Sequence, residues 1–386
     1  MTITGPCNAP DVLDVVALGE SMVTFLPTRP GRLADVPSFE RGIGGAESNV
    51  ACALAAAGHR TRWVSRVGAD GFGDHLVEAI GGYGVDVSAV RRDPVRPTGV
   101  YFRTAGDRAT DAHEVAYYRA GSAASAMSVE NVDLSTARSG RVLHLSGITA
   151  ALSEGCLGLM RELTASGEGR PLVSFDVNYR AGLWRDGDGP GVLLELARGA
   201  DVVFVGEDEA EEAWGISGGP EAVRAALPEP GVLVVKQGGV GATVFGSAAG
   251  RGGLVAQFPA PLGASDGTVS QAAKGVQSGH VTPVATPRTF VPALRVDVAA
   301  ATGAGDAFAA GFLSATLRGL PIQERLRHGH LWAAAALTSP GDLAAPPDRD
   351  TADRLAALDG VGWEKLRLGP GWTQAAGRAD EEVRTP

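Results

Sequence analysis

The chain has 386 residues, 44% of them hydrophobic, with a formal charge of -10 and a pI near 5.3. That suffices for one large α/β domain or two smaller ones, and the acidic balance excludes nucleic acid as an expected partner, because a phosphate-backbone binder needs a basic surface. No run approaches the roughly 18 to 20 apolar residues of a membrane span, so a soluble protein with no membrane partner is expected.

Cys7, Cys52 and Cys156 are an odd set without metal-ligand spacing, and the N-terminus lacks a basic segment followed by an apolar run and a cleavage site. Both features predict a cytoplasmic protein. In chain order, the first candidate strand is Val12 to Leu18. The segment from about 21 to 43 then alternates apolar and polar residues, and a second such segment spans about 97 to 120, for example Thr98-Gly99-Val100-Tyr101-Phe102-Arg103. The pair reads either as surface hairpins or as a small sheet that closes over a ligand and excludes water. Between them, Ile43-Gly44-Gly45-Ala46-Glu47-Ser48-Asn49 turns into an apolar helix. Glycines admit a ligand closely and Asn49 offers donor and acceptor to a hydroxyl, although a capped strand-to-helix turn has the same residues.

Further runs at Arg62 to Val67, Val142 to Leu145, Leu172 to Phe175, Val202 to Val205 and Val232 to Val235 alternate with Ala- and Leu-rich stretches of helical length. Strands apolar throughout are buried on both faces, so the prediction is an α/β fold, a three-layer α/β/α sandwich around a mainly parallel sheet. Polar groups gather just past these strands, at the edge where open α/β sheets bind ligands. Asp176-Val177-Asn178-Tyr179-Arg180 ends in a guanidinium suited to carboxylate or phosphate. Gly206-Glu207-Asp208-Glu209 either holds hydrated Mg²⁺ or starts an acidic helix, and Lys236-Gln237-Gly238-Gly239-Val240-Gly241 suits a nucleotide wall.

From about 246 to 288 the chain turns Gly-, Ala-, Ser- and Pro-rich with little periodicity, which predicts a disordered insertion. Thr302-Gly303-Ala304-Gly305-Asp306 then opens an apolar helix. Free N–H groups at such a terminus hold a phosphate as its charge develops. Asp306 itself is a general base or merely a cap, and this motif alone leaves both open. A polar tail from 363 to 386 is expected to be flexible, leaving 12–362 as the folded unit.

The order Gly-Gly-Ala-x-x-Asn, Asp-x-Asn-x-Arg, Lys-x-Gly-x-x-Gly and Gly-Ala-Gly-Asp resembles the ribokinase-like (PfkB) carbohydrate kinase family over about Val15 to Ala345, the insertion apart. Within it, Phe175 to Arg180 with Leu183-Trp184, Tyr117-Tyr118-Arg119 with Gly121 to Ala124, and Gly206 to Ala210 are most similar to 2-dehydro-3-deoxygluconokinases. The resemblance implies a three-layer core with a small β-sheet lid, and transfer of the γ-phosphate of MgATP to a primary hydroxyl. Asp306 would be the base, and Gly303, Ala304, Gly305 and Arg180 would balance charge on the transferring group. It implies substrate contacts from Gly44, Gly45, Ala46, Asn49, Tyr101, Tyr117, Arg119, Asp306 and Asp342. ATP contacts follow for Asn178, Arg180, Lys236, Gly238, Gly241 and Gly303 to Gly305, with Glu209 reaching Mg²⁺ through water. Arg119 reads as a clamp for a substrate carboxylate or as a surface charge. Lid-to-lid pairing into a homo-oligomer is a further implication.

Two positions depart from the family pattern. Ala300 stands where relatives carry an aspartate of a monovalent-cation site, and Gly206 takes the Asn position of Asn-x-x-Glu. Competing readings are a fructokinase- or ribokinase-like kinase of a neutral sugar and a non-catalytic sugar or nucleotide sensor.

Overall fold

The computed structural model describes residues 12–104, 114–184, 188–246, 288–300 and 302–373. An eight-stranded sheet runs in the order Arg288–Pro292, Gly241–Gly246, Val232–Lys236, Val202–Gly206, Leu172–Asp176, Gly140–Ser146, Leu13–Leu18 and Thr61–Val64. The strands from Val232–Lys236 to Thr61–Val64 pair in parallel, and the first two pair antiparallel. Side chains alternate between two buried faces. Val202, Phe204, Val232 and Val234 pack with Phe308, Phe312 and Leu313 of the helix Ala304–Leu317, backed by Ile322–Leu337. Val203, Val205, Leu233 and Val235 pack instead with Leu159 and Leu163 of Glu154–Thr164 and Leu193 and Leu196 of Gly189–Gly199. Each such side chain, fully buried, contributes roughly 1.5–3 kcal/mol of transfer free energy. Continuous apolar strands therefore give the three layers, as expected.

The two alternating segments form a separate four-stranded sheet, the lid, ordered Phe39–Gly44, Met22–Pro27, Val100–Arg103 and Val115–Tyr118. Asp70 ties it to the core. Its carboxylate caps the helix Gly71–Gly82 through the N–H groups of Phe72 and Gly73, and also accepts from the N–H and hydroxyl of Thr98, at 2.9 Å each. The run Arg62 to Val67 is not one strand, however. The central sheet keeps Thr61–Val64, and after Ser65 the residues Arg66–Gly68 pair with Arg91–Asp93, held there by the Arg66–Asp93 ion pair at 2.8 Å. Cys52 and Cys156 are buried free thiols in the hydrophobic core.

The stretch 247–287, which contains the expected insertion, lies outside the described residues. Its flanks are neighbouring strands, with Phe245 and Arg288 as register partners. The expectation of a flexible tail from 363 needs correction up to residue 373. Arg367–Leu368 pairs with Arg295–Val296, and Trp363, Leu366, Leu368 and Trp372 are buried against the helical layer. Four apolar anchors hold this segment despite its polar, Gly-rich average. Among the described residues, no helix is long and apolar enough to cross a membrane.

Candidate active site

The helix Ala304–Leu317 points its N-terminus at the lid side of the sheet's carboxyl edge. Gly303 caps it with φ of 79°, and a Cβ there would lie 2.1 Å from the carbonyl oxygen of Asp342, so both backbone and space demand glycine. The first intrahelical bond comes from Ala307 N–H to Gly303 O, and no side chain caps the terminus. The N–H groups of Ala304, Gly305 and Asp306 thus lack intrahelical acceptors and form an anion cradle.

Asp306 lies in that first turn, partly open to the cleft, and accepts a hydrogen bond from Asn49 Nδ2 at 2.9 Å. Removal from water raises its pKa to about 7. Asn49 works against the rise, the Asp176 carboxylate adds to it, and Lys236 and Arg180 oppose it. Asn49 Oδ1 is buried without a partner, an acceptor still available to a hydroxyl.

On one side of Asp306 the sheet edge supplies charge. Lys236 ends its strand and donates to both oxygens of Asp176, at 3.1 and 3.0 Å. A Cβ on Gly305 would sit 3.5 Å from Lys236 Nζ, which places the ammonium against the anion cradle. Burial works to lower the pKa of Lys236, but the Asp176 and Glu209 carboxylates outweigh it and raise the value. Glu209 Oε2 accepts the N–H of Gly206 at 2.8 Å, closing the helix start Glu207–Trp214, and Oε1 faces Arg180 Nη1 at 3.4 Å. Burial opposes ionisation of Glu209, yet Lys236, that N–H and Arg180 together hold its pKa below the usual value. Asn178, in the turn that carries Arg180, has φ of 44°. Gly238 and Gly241 form the turn after Lys236, closed by Gln237 N–H to Gly241 O and anchored by Gln237 Nε2 on Glu207 at 3.1 Å.

On the other side stands the lid. A Cβ on Gly44 would meet the Tyr101 hydroxyl at 2.2 Å and Asp342 Oδ2 at 2.8 Å, and one on Gly45 would meet the carbonyl of Glu20 at 2.4 Å. The glycines let lid and core close together, ahead of the helix that starts at Ala46. Tyr101 donates to Asp342, Arg103 Nε donates to the other Asp342 oxygen at 2.8 Å, and the Tyr117 ring lies 5.4 Å from that of Tyr101. Arg119, read as a carboxylate clamp or a surface charge, forms an ion pair with Glu20, which also accepts from Ser122 Oγ at 2.5 Å. Arg119 Nε and Arg103 Nη1 remain buried donors without partners.

Asn49, Lys236 and Arg180 thus gather around Asp306, and Gly44, Gly45, Tyr101 and Asp342 meet at the Gly303 turn on the lid side, whereas Asn178, Gly238 and Gly241 lie along the sheet edge and Tyr117 on the outer part of the lid. Three others that the motifs did not single out join them, Glu20, Glu47 and Arg103, and so does Asp176, which heads the Asp-x-Asn-x-Arg motif but had no role of its own there. Glu47 accepts from Thr149 Oγ1 at 2.7 Å and is fully buried, which raises its pKa to about 8. Its signal in the sequence is a carboxylate inside the Gly-Gly-Ala-x-x-Asn motif, and that of Arg103 is its place two residues from Tyr101 on the same strand face. For Mg²⁺, no group of three or more His, Cys, Asp or Glu among the described residues forms a cage, and both Glu209 oxygens are engaged. Those donors fit an ion held by phosphate oxygens and water, with Glu209 in its outer sphere. A cavity of ≈ 170 Å³ near Arg62, Ser65, Arg66 and Arg91 lies apart from this site, beside the edge strand of the sheet.

An anion cradle at a helix terminus, a carboxylate beside it that is partly open to the cleft, and a lid of polar side chains are the parts of a carbohydrate kinase site. The chain belongs to the pfkB family of carbohydrate kinases, whose model matches residues 12–261 and 268–349. It is 32% identical over 352 residues to a 2-dehydro-3-deoxygluconokinase of Thermoproteus tenax, covering 90% of this chain and 95% of that one. A protein of the same name from Bacillus subtilis is 31% identical, with 88% and 94% covered, and a probable chloroplastic fructokinase-6 of Arabidopsis thaliana is 28% identical, with 83% and 75% covered. Among solved structures, a PfkB protein from Polaromonas sp. JS666 is 30% identical with a TM-score of 0.70, covering 89% of this chain and 99% of that one.

Proposed function

We propose that this kinase transfers the γ-phosphoryl group of ATP to the primary hydroxyl of 2-dehydro-3-deoxygluconate, giving the 6-phosphate. The observation that carries the reading is Asp306 itself, bridged to the sugar side by Asn49 and set in the first turn of the helix that holds the anion cradle. Asp306 accepts the hydroxyl proton as that oxygen bonds to the γ-phosphorus and the bond to the ADP oxygen breaks. The N–H groups of Ala304 and Gly305, with Lys236 and Arg180, face the charge on the transferring group, in a reaction that depends on positioning and electrostatics. Asn178 and the turn from Gly238 to Gly241 line the nucleotide side. Mg²⁺, when bound with the nucleotide, neutralises phosphate charge.

Support for an acidic sugar comes from two relatives so named and from the lid. Arg119 and Arg103 each keep one buried N–H unpartnered, and Glu20 is the protein carboxylate with which a substrate carboxylate would share Arg119. Gly44, Gly45, Ala46, Tyr101, Tyr117 and Asp342 complete that pocket.

One experiment tests both levels. Wild-type protein is assayed by ADP release with MgATP against a panel of sugar acids and neutral sugars, beside Asp306→Asn. The expected result is preference for 2-dehydro-3-deoxygluconate, with loss of roughly 10²–10⁴ in turnover for the variant while ATP still binds. Preference for fructose or ribose overturns the substrate, and near-normal turnover of the variant overturns the base.

A further inference from the structure

Asp176 has no place yet in the transfer. It ends the strand Leu172–Asp176, is 3% exposed, and spends both oxygens on one ammonium group, that of Lys236 two strands away. A lysine carries a point charge on a flexible stem. Here the stem ends among three carboxylates, Asp176, Glu209 and Asp306, with Arg180 as the other cation. Left unrestrained, the ammonium would settle on whichever carboxylate is nearest, and pairing with Asp306 would quench the base. Its nitrogen lies within hydrogen-bond reach of both Asp176 oxygens, which engages at most two of its three N–H donors and leaves at least one for an anion in the cradle beside Gly305.

We infer that Asp176 is a positioning residue for phosphoryl transfer: it holds the Lys236 ammonium against the anion cradle and off the carboxylate of Asp306. The inference rests on Asp306 as the base, and is independent of which sugar is phosphorylated. The groups that act on Asp306 come from several neighbouring elements: Asp176 and Arg180 from the strand Leu172–Asp176 and its turn, Lys236 from the next strand but one, and Asn49 and Glu47 from Ala46–Ala56, while Glu209 from Glu207–Trp214 acts on Lys236 and Asp176. Of these, Asp176 raises the pKa of Asp306 and Lys236 lowers it.

The test is the acidic limb of kcat/KM for the sugar, measured with saturating MgATP in Asp176→Asn and Lys236→Met. In Asp176→Asn, a near-isosteric change, kcat falls by at least about an order of magnitude with little change in KM for the sugar, and the limb moves to lower pH. In Lys236→Met, kcat also falls and the limb moves the other way, to higher pH. A residue that served only stability would lower the active fraction and move neither limb. Shifts in the same direction, no shift in either variant, or a kcat of Asp176→Asn within about twofold of wild type overturns the inference. Should Asp176→Asn fail to fold, Lys236→Met decides alone, and an unmoved limb rejects the role. Activity in Asp306→Asn would sink the base reading instead, so the two failures are separate.

Discussion

If Asp306 is the general base, the pH dependence of the reaction carries the imprint of its surroundings. Burial and the neighbouring Asp176 place its pKa at about 7 instead of the ordinary 3.8. A base works deprotonated, so kcat/KM rises with pH through that value. The ionised fraction is about 9% at pH 6 and about 91% at pH 8, a rise of roughly tenfold, whereas an unperturbed carboxylate is already ~99% ionised at pH 6 and gives a flat profile. Removing the Asn49 donor sharpens the test. A hydrogen bond to a charged acceptor contributes about 1.5–3 kcal/mol, equivalent to roughly one to two pH units. Asn49→Ala should therefore move the limb upward by about that much, besides weakening sugar binding. The assay is coupled ADP release with limiting sugar and saturating MgATP, run from about pH 5.5 to 9. A profile flat between pH 6 and 8 would refute the reasoning, as would a limb that Asn49→Ala leaves in place.

Gly303→Ala should cost about 1–3 kcal/mol in backbone strain and displace the loop at Asp342, lowering kcat by roughly 10²; thermal unfolding and turnover report the two effects. Glu47 is buried with a folded pKa of about 8 against an ordinary 4.5. Its folded state holds the proton more tightly, so its stabilising contribution is full below about pH 4.5 and is lost as pH rises through 8, on the order of 5 kcal/mol in all. Glu47→Gln, which keeps an acceptor for Thr149, should flatten the fall in Tm between about pH 6 and 9; an unchanged fall contradicts it. Trp363→Ala should lose about 3–5 kcal/mol in denaturant unfolding, because that ring is 1% exposed and its Nε1 donates to Pro292 O at 2.9 Å. With Ala300 in place of the relatives' aspartate, replacing Na⁺ by K⁺ in the assay should leave kcat within about twofold, and a larger rise would reject that expectation.

How much of this could be read from residues alone depended on the range of the interaction. Parallel strands such as Val202 to Val205 declare themselves because both faces are apolar, and the glycine turns declare themselves through backbone demands that are local. Pairings across the chain do not. Arg119 meets Glu20, Arg103 meets Asp342 and Asp176 meets Lys236 only once the sheet order and lid register exist. A charge seen in a motif thus looks free when it is already neutralised. The strands Gly241–Gly246 and Arg288–Pro292 lay at the borders of a Gly-rich stretch that hid them, and the average composition after 363 masked the spacing of Trp363, Leu366, Leu368 and Trp372.

That last segment also reaches the chemistry. Its strand Arg367–Leu368 is hydrogen-bonded to Arg295–Val296, and Leu368 O accepts the N–H of Asp297, a few residues before the Gly303 turn. The loop that presents Asp306 is thus buttressed by residues more than sixty positions downstream. A chain interrupted before Leu368 has every motif of the kinase and lacks the brace behind Asp306, so truncation near residue 365 should uncouple possession of the signature from turnover.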